Sequence, residues 1–236
     1  MRRPIQTVLG LVVVLVAAGL VGPVAPASAA HRIRLGGVPV DLPAGSRQVV
    51  TVNHAGGYHA RVTLWRRAPG GWRRVVRAHD GRIGYGGLVA ADQRKQGTGT
   101  TPLGTFRLIS SFGRHPRHAA WHMPYRRIRS GDYWVEDNES AYYNRYRNKA
   151  QGGFRWWLAA SNVNSSERLT DYPRQYEYSV VTSFNRRQVR YRGAGIFLHV
   201  NGSGATAGCV SAPRRFLRRT MRALRPVLHP VIAVGQ

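Results

Sequence analysis

The chain has 236 residues, of which 36 are Lys or Arg and 10 are Asp or Glu, giving a formal net charge of +26. Its single cysteine excludes a disulfide-stapled scaffold, and its length is enough to bury a sizeable core without one. The charge indicates polyanionic surroundings, unless the arginines only fill solvated faces. The sequence contains no recognisable nucleic-acid-binding motif, so we predict no nucleic-acid partner.

Residues 1–30 have the three-part pattern of a secretory signal peptide. Arg2 and Arg3 come first, an apolar run follows, and small residues at 27–30 provide a cleavage site. The apolar run is shorter than the roughly 20 residues of a membrane span. This transient peptide is therefore the only predicted membrane contact. An anionic cell-wall polymer is then the polyanion that fits a secreted, basic protein.

Runs of β-branched and aromatic residues predict short strands along most of 31–236, which we expect to form a single domain. These runs are RQVVTVNH, YHARVTLWRR, WRRVVRA, GTFRLIS, YSVVTSF, GIFLHV and HPVIAV. A helix is predicted near the C-terminus, where Leu217, Met221 and Leu224 recur at helical spacing after Pro213. The predicted fold class is mainly β with few helices. No feature of the sequence indicates an oligomeric state.

The lone cysteine follows a histidine by ten residues. Side chains alternate along a strand, so Phe197 and His199 of GIFLHV share one face, and the glycine-rich loop NGSGATAG can fold Cys209 back beside His199. An imidazole beside a thiol either takes its proton or stabilises the thiolate, which is the nucleophile. Gly208 lets the backbone turn so that the N–H groups of Gly208 and Cys209 can form an oxyanion hole. The alternative is a small buried cysteine and a core histidine without chemistry.

Several segments resemble the L,D-transpeptidases, whose catalytic domain is of the YkuD type. IFLHVNGSGATAGCV resembles their active-site segment, and GYGGLVAADQRKQGTGTTPLGTFRLISSFG is similar to their glycine-rich lead into Thr-Pro-x-Gly-x-Phe, here Thr101, Pro102, Gly104 and Phe106. YWVEDNESAYYN, SSERL and YPRQYEYSVVTSFN are similar to segments of the branch that has Thr-Ala-Gly-Cys. The similarity covers roughly 80–236, in order.

This resemblance implies a β-sandwich of mixed sheets and an extracytoplasmic enzyme that crosslinks the stem peptides of peptidoglycan. Cys209 would be the nucleophile, His199 the general base and then acid, and D-alanine the leaving group, with no metal or other cofactor. Water as acceptor would make the protein an L,D-carboxypeptidase with the same site. A non-catalytic module that binds wall polymers through its charge is the alternative of another class.

Two positions depart from the family's pattern. Ala207 stands where most members have histidine before Gly-Cys, and a backbone N–H is all that this position needs to supply. Ser211 stands where most have arginine, so we expect Arg214 or Arg215 to supply the guanidinium for a substrate carboxylate. The side chains expected to bind substrate are those of Thr206, Ser211, Arg214, Asp137 and Asn201.

A histidine stretch and an acidic stretch are further candidates for a binding role. His115, His118 and His122 have a spacing that suits a metal, but an intervening proline and the lack of a nearby carboxylate in the sequence favour an exposed loop. The stretch WVEDNES either meets a cationic amine of the substrate through acids such as Asp137 or pairs locally with arginine. Trp156 and Trp157 are expected in the core rather than in the wall of a cleft.

Overall fold

The computed structural model describes residues 31–236, so the predicted signal peptide lies outside the described residues. The strands of the described part, in chain order, are β1 (His31–Leu35), β2 (Val38–Leu42), β3 (Gln48–His54), β4 (His59–Ala68), β5 (Gly71–Arg82), β6 (Leu88–Ala90), β7 (Thr101–Gly113), β8 (Tyr125–Arg127), β9 (Asp132–Trp134), β10 (Tyr146–Asn148), β11 (Glu167–Arg168), β12 (Tyr178–Thr182), β13 (Phe197–Val200), β14 (Val210–Ala212) and β15 (Val231–Gly235). The helical elements are α1 (Arg214–Ala223) and the single-turn 3-10 helices Lys149–Gln151, Leu169–Asp171, Gln175–Glu177 and Pro226–Leu228.

Ten strands form the largest sheet, in the order β12-β13-β14-β5-β4-β3-β15-β7-β6 with β8 paired to β7. Strand β7 also pairs with β12, so the strands from β12 round to β7 form a closed circuit of pairings. The sheet is mixed, because β13–β14 and β15–β3 are parallel while β3–β4 and β4–β5 are antiparallel. Two smaller sheets have the orders β1-β2 and β10-β9-β11.

Strand β13 separates two hydrophobic clusters. Leu198 and Val200 belong to the larger one, which α1 covers with the apolar face predicted from its helical spacing. Phe197 belongs to the smaller one, an aromatic cluster that also contains Cys209. The alternation predicted for GIFLHV therefore holds, and it turns Phe197 and His199 away from the larger core.

The predicted fold class is confirmed: the chain is mostly β, with mixed sheets and its one α-helix, within the described residues, near the C-terminus. Every strand and the helix predicted from the runs above corresponds to an observed element. None of the helices within 31–236 is both long and apolar enough to cross a membrane.

Candidate active site

Cys209 and His199 line the same cavity, which has a volume of about 660 Å³. The two residues reach it from adjacent strands, because β13 carries His199 and Cys209 immediately precedes β14. The strands are parallel, with Leu198 opposite Val210 and His199 opposite Ser211. Strand pairing, and not the intervening glycine-rich loop alone, thus brings the thiol and the imidazole to one side of the sheet.

The imidazole of His199 is held in one tautomer. Its Nδ1 atom lies 2.8 Å from the carbonyl oxygen of Val200, and a carbonyl only accepts, so Nδ1 carries the hydrogen. This leaves Nε2 with a free lone pair. The ring of Tyr176 packs edge-on against the imidazole at 5.5 Å between centroids. Burial lowers the pKa of His199 to about 4, so the ring is neutral and able to accept a proton at neutral pH.

The thiol of Cys209 is also neutral at rest. Its Sγ atom donates to the carbonyl oxygen of Gly195 at 3.0 Å and accepts from the N–H of Phe197 at 3.3 Å. Burial, reinforced by the charge of Glu167, raises the pKa of this thiol above its ordinary value. Of the two roles left open for the imidazole, the neutral pair favours transfer of the thiol proton to Nε2 during attack over a preformed thiolate.

The turn before the cysteine is fixed by Thr206. Its Oγ1 accepts from the N–H of Gly208 at 3.2 Å and donates to the carbonyl oxygen of Cys209 at 2.6 Å. Gly208 has a φ of +126°, and a Cβ there would lie 2.8 Å from the carbonyl oxygen of Thr100. The position therefore requires glycine. The N–H of Gly208 is engaged at rest, so its predicted oxyanion contact requires it to turn from Thr206 to the substrate.

The predicted substrate-binding residues are not all at the cavity. Thr206 lines it. Ser211 donates through Oγ to Asn201 at 2.8 Å, and Asn201 in turn donates through Nδ2 to the backbone oxygen of Asp80 at 2.7 Å. Neither of these two lines the cavity. These hydrogen bonds connect β14 to the residue that follows β13.

The charged members of that set are committed to ion pairs elsewhere. Arg214 pairs with Glu177, and the buried Asp137 is held by Arg155 through both carboxylate oxygens. Arg155 lowers the pKa of Asp137 against the effect of burial. Neither Arg214 nor Asp137 lines the cavity, so local pairing, the alternative considered for the acidic stretch, describes Asp137.

Three of the charged residues at the cavity are not among the predicted site residues. Arg94, Glu136 and Glu167 all line it. Glu167 accepts from the hydroxyl of Tyr176 at 2.6 Å, and burial raises the pKa of both carboxylic acids. Glu136 belongs to the acidic stretch WVEDNES, whereas no sequence pattern indicates Arg94, which donates to the distant carbonyl of Arg192.

The tryptophan prediction is wrong. Trp156 is 40% exposed and Trp157 is 64% exposed, and Trp156 lines the cavity. Their rings contact each other edge-on at 5.8 Å, and the ammonium of Lys149 lies over Trp156 at 4.7 Å. Apolar character predicts burial, but Trp156 forms part of the cavity wall and Trp157 is exposed beside it.

Two histidines of the stretch that contains His115, His118 and His122 contact protein side chains. His115 lies 2.8 Å from a carboxylate oxygen of Glu177, so a carboxylate does approach it in space although none is near in sequence. The ring of His118 packs beside Trp121. Within 31–236 no group of three or more His, Cys, Asp or Glu side chains is arranged to hold a metal ion.

Comparison with known proteins yields structural neighbours only. The sequence matches no family model and no curated protein. The helical cell shape determining protein Pgp2 (K307A mutant) from Campylobacter jejuni is similar at 12% identity and a TM-score of 0.44, over 80% of this chain and 47% of that one. Bdellovibrio bacteriovorus Bd1075 is similar at 14% identity and a TM-score of 0.39, over 80% and 48%. Mycobacterium tuberculosis L,D-transpeptidase 1 is similar at 12% identity and a TM-score of 0.35, over 80% and 61%.

The chain thus spans between 47% and 61% of the length of these neighbours. All three TM-scores lie below 0.5, so these similarities say nothing of the chemistry.

Proposed function

We propose that the protein is a secreted peptidoglycan L,D-transpeptidase that works through a Cys209 acyl-enzyme. The observation that carries the proposal is the placement of His199 on β13 and of Cys209 at the start of the adjacent parallel strand β14, at one cavity, with Nε2 free to accept a proton. The sequence resemblance stated above supports it, because the same two residues match the family's strand histidine and nucleophile.

In the first half-reaction the Sγ atom of Cys209 attacks the carbonyl carbon that joins the L-centre of a diamino acid to a terminal D-alanine. Nε2 of His199 takes the thiol proton as the carbon–sulfur bond forms. The tetrahedral oxyanion is stabilised by the N–H groups of Gly208 and Cys209. The carbon–nitrogen bond then breaks, His199 returns the proton to the leaving amine, and a thioester remains.

In the second half-reaction an amine of a neighbouring stem peptide attacks the thioester carbonyl. His199 removes a proton from that amine and delivers it to Sγ as the carbon–sulfur bond breaks. The products are a new amide crosslink and free Cys209. Hydrolysis replaces the crosslink when water attacks instead, and the protein is then an L,D-carboxypeptidase.

A buried thiol at the floor of a cavity argues against the non-catalytic wall-binding alternative. Cys209 is 9% exposed, and its Sγ makes polar contacts to the backbone on β13 and just before it. A module that binds polymers through surface charge has no use for such a thiol, nor for a histidine held in one tautomer at the same cavity.

The test is incubation of the purified protein with disaccharide tetrapeptides, followed by mass spectrometry. We expect release of D-alanine, with a crosslinked dimer marking the transpeptidase and a shortened tripeptide marking the carboxypeptidase. Cys209→Ala and His199→Ala should abolish release. His122→Ala is the matched control, since His122 is exposed and lies away from the cavity. Binding to wall material without D-alanine release would instead indicate a non-catalytic module.

A further inference from the structure

Arg94 is the one buried arginine of the described chain. It lies between β6 and β7, lines the cavity of Cys209, and is 5% exposed. Within 31–236 it forms no ion pair with a carboxylate. Burying a guanidinium without such a partner is costly, and the charge of Glu136 offsets this cost only from beyond ion-pair distance.

Backbone carbonyls hold two sides of the guanidinium. Nε donates to the oxygen of Thr100 at 2.7 Å and Nη1 donates to the oxygen of Arg192 at 3.1 Å. The cationic group also lies 5.5 Å from the ring centroid of Phe184. These contacts fix its orientation without neutralising its charge.

Two glycines make room for it. Gly193 and Gly208 both have positive φ, at +96° and +126°, and a Cβ at either position would collide with the guanidinium. At Gly208 the clash would be with Nη2, at 2.7 Å. Nη2 has no hydrogen-bond partner in the described chain, and it lies against the residue that immediately precedes the thiol.

Two carboxyl groups near the thiol oppose a negative charge on it, whereas the N–H of Phe197, which donates to Sγ, favours one. Glu136 and Glu167 raise the pKa of Cys209 through their charge, and Arg94 lowers it. Tyr176 also faces the thiol, but burial keeps its hydroxyl protonated, and His199 is neutral. Arg94 is therefore the one fixed positive charge acting on Sγ.

We propose that Arg94 is a positioning residue whose guanidinium, held beside Gly208, stabilises the anion that forms at Cys209 as His199 takes its proton. This inference rests on the proposed function. Ser211 cannot supply a cation from its own position, and Arg214 is paired with Glu177 away from the cavity. Arg94 supplies a charge beside the nucleophile from a loop about 115 residues earlier in the chain.

The test measures the rate of alkylation of Cys209 by iodoacetamide as a function of pH, by intact mass, in the folded protein. Arg94→Met removes the charge and should move the midpoint up by about one pH unit, which is roughly tenfold slower alkylation at any pH below it. Arg94→Lys keeps the charge and should restore most of the rate. Arg168→Met is the matched control, because Arg168 lines the same cavity but is exposed and paired with Asp171.

A purely structural role would change the limiting rate at high pH and leave the midpoint where it is. An unchanged midpoint in Arg94→Met, in a variant that still melts cooperatively, overturns the inference. Arg94→Gln replaces the methionine variant should that one not fold, with the same expectation. D-Alanine release by the wild type separates the two claims: its absence removes the proposed function, whereas its presence with an unmoved midpoint removes only the role of Arg94.

Discussion

The backbone N–H of Phe197 donates to the Sγ atom of Cys209 at 3.3 Å, so the strand that carries the histidine also holds the thiol. Phe197 lies two residues before His199 on β13. The separation of base and nucleophile therefore depends on the pairing of β13 with β14 and not on the glycine-rich loop alone.

The buried imidazole makes stability depend on pH. Its pKa is about 4 in the folded state against 6.5 for the unperturbed side chain, so the unfolded chain binds a proton first as the pH falls. We expect the free energy of unfolding to fall by about 3 kcal/mol between pH 6.5 and 4 through this group. Chemical denaturation across that range should show a shallower decline for His199→Gln, while His122→Gln follows the wild type. Parallel curves for all three proteins would mean that His199 is not buried neutral.

Replacement of the nucleophile should separate activity from folding. Cys209→Ala removes only the buried thiol group, which costs at most a few kcal/mol of stability. We expect cooperative thermal unfolding of this variant, measured by circular dichroism, together with loss of detectable D-alanine release. Cys209→Ser should also be inactive, because a serine hydroxyl is a far weaker nucleophile with the same base. Activity of Cys209→Ala within tenfold of the wild type would exclude Cys209 as the nucleophile.

Thr206 provides a milder test of the turn before the cysteine. Thr206→Val keeps the shape of the side chain but removes its hydrogen bonds to the N–H of Gly208 and to the carbonyl of Cys209. We expect a fall in kcat/KM of about fivefold, since the bond to the carbonyl of Cys209 persists while the N–H of Gly208 turns to the substrate, and such a bond contributes about 1 kcal/mol. Thr206→Ser retains the hydroxyl and should stay within about twofold of the wild type. Equal rates for the two variants would contradict a role for this turn in catalysis.

The fold class could be predicted from the sequence because the periodicity of a strand or a helix is visible among neighbouring residues. Side chains alternate along GIFLHV, so Phe197 and His199 share one face as expected, and the structure adds that the two faces of β13 belong to different clusters. The spacing of Leu217 and Met221 likewise reports the buried face of α1. Such patterns need only neighbouring residues, so they can be interpreted without knowing the tertiary structure.

The charged residues that line the cavity could not be predicted in this way. Arg94 reaches the site through contacts to Thr100 and Arg192, and the second of these lies 98 residues away. The sequence allowed a role for Asp137 in binding a substrate amine, but Arg155, 18 residues later, donates hydrogen bonds to both of its carboxylate oxygens. Only the folded chain decides which charges are neutralised and which remain at the cavity.

The basic surface should govern attachment to wall material. The formal net charge is +26, and attractions between exposed charges are screened within a Debye length of about 10 Å at 0.1 M salt. We expect co-sedimentation with isolated anionic cell wall to decline steeply as sodium chloride rises. Retention that persists to molar salt would remove the electrostatic explanation and leave the catalytic proposal unaffected.

Acylation of Cys209 tests the central claim most directly. The resemblance to L,D-transpeptidases implies that a carbapenem should acylate the nucleophile, so we would incubate the folded protein with one, measure its intact mass and map the adduct by peptide sequencing. The proposed mechanism predicts a gain of one carbapenem, located on the peptide containing TAGCV, and no gain for Cys209→Ala. A thiol that stays unmodified in the folded protein, yet reacts with iodoacetamide after unfolding, would show that Cys209 is a buried structural residue and would contradict the enzymatic proposal.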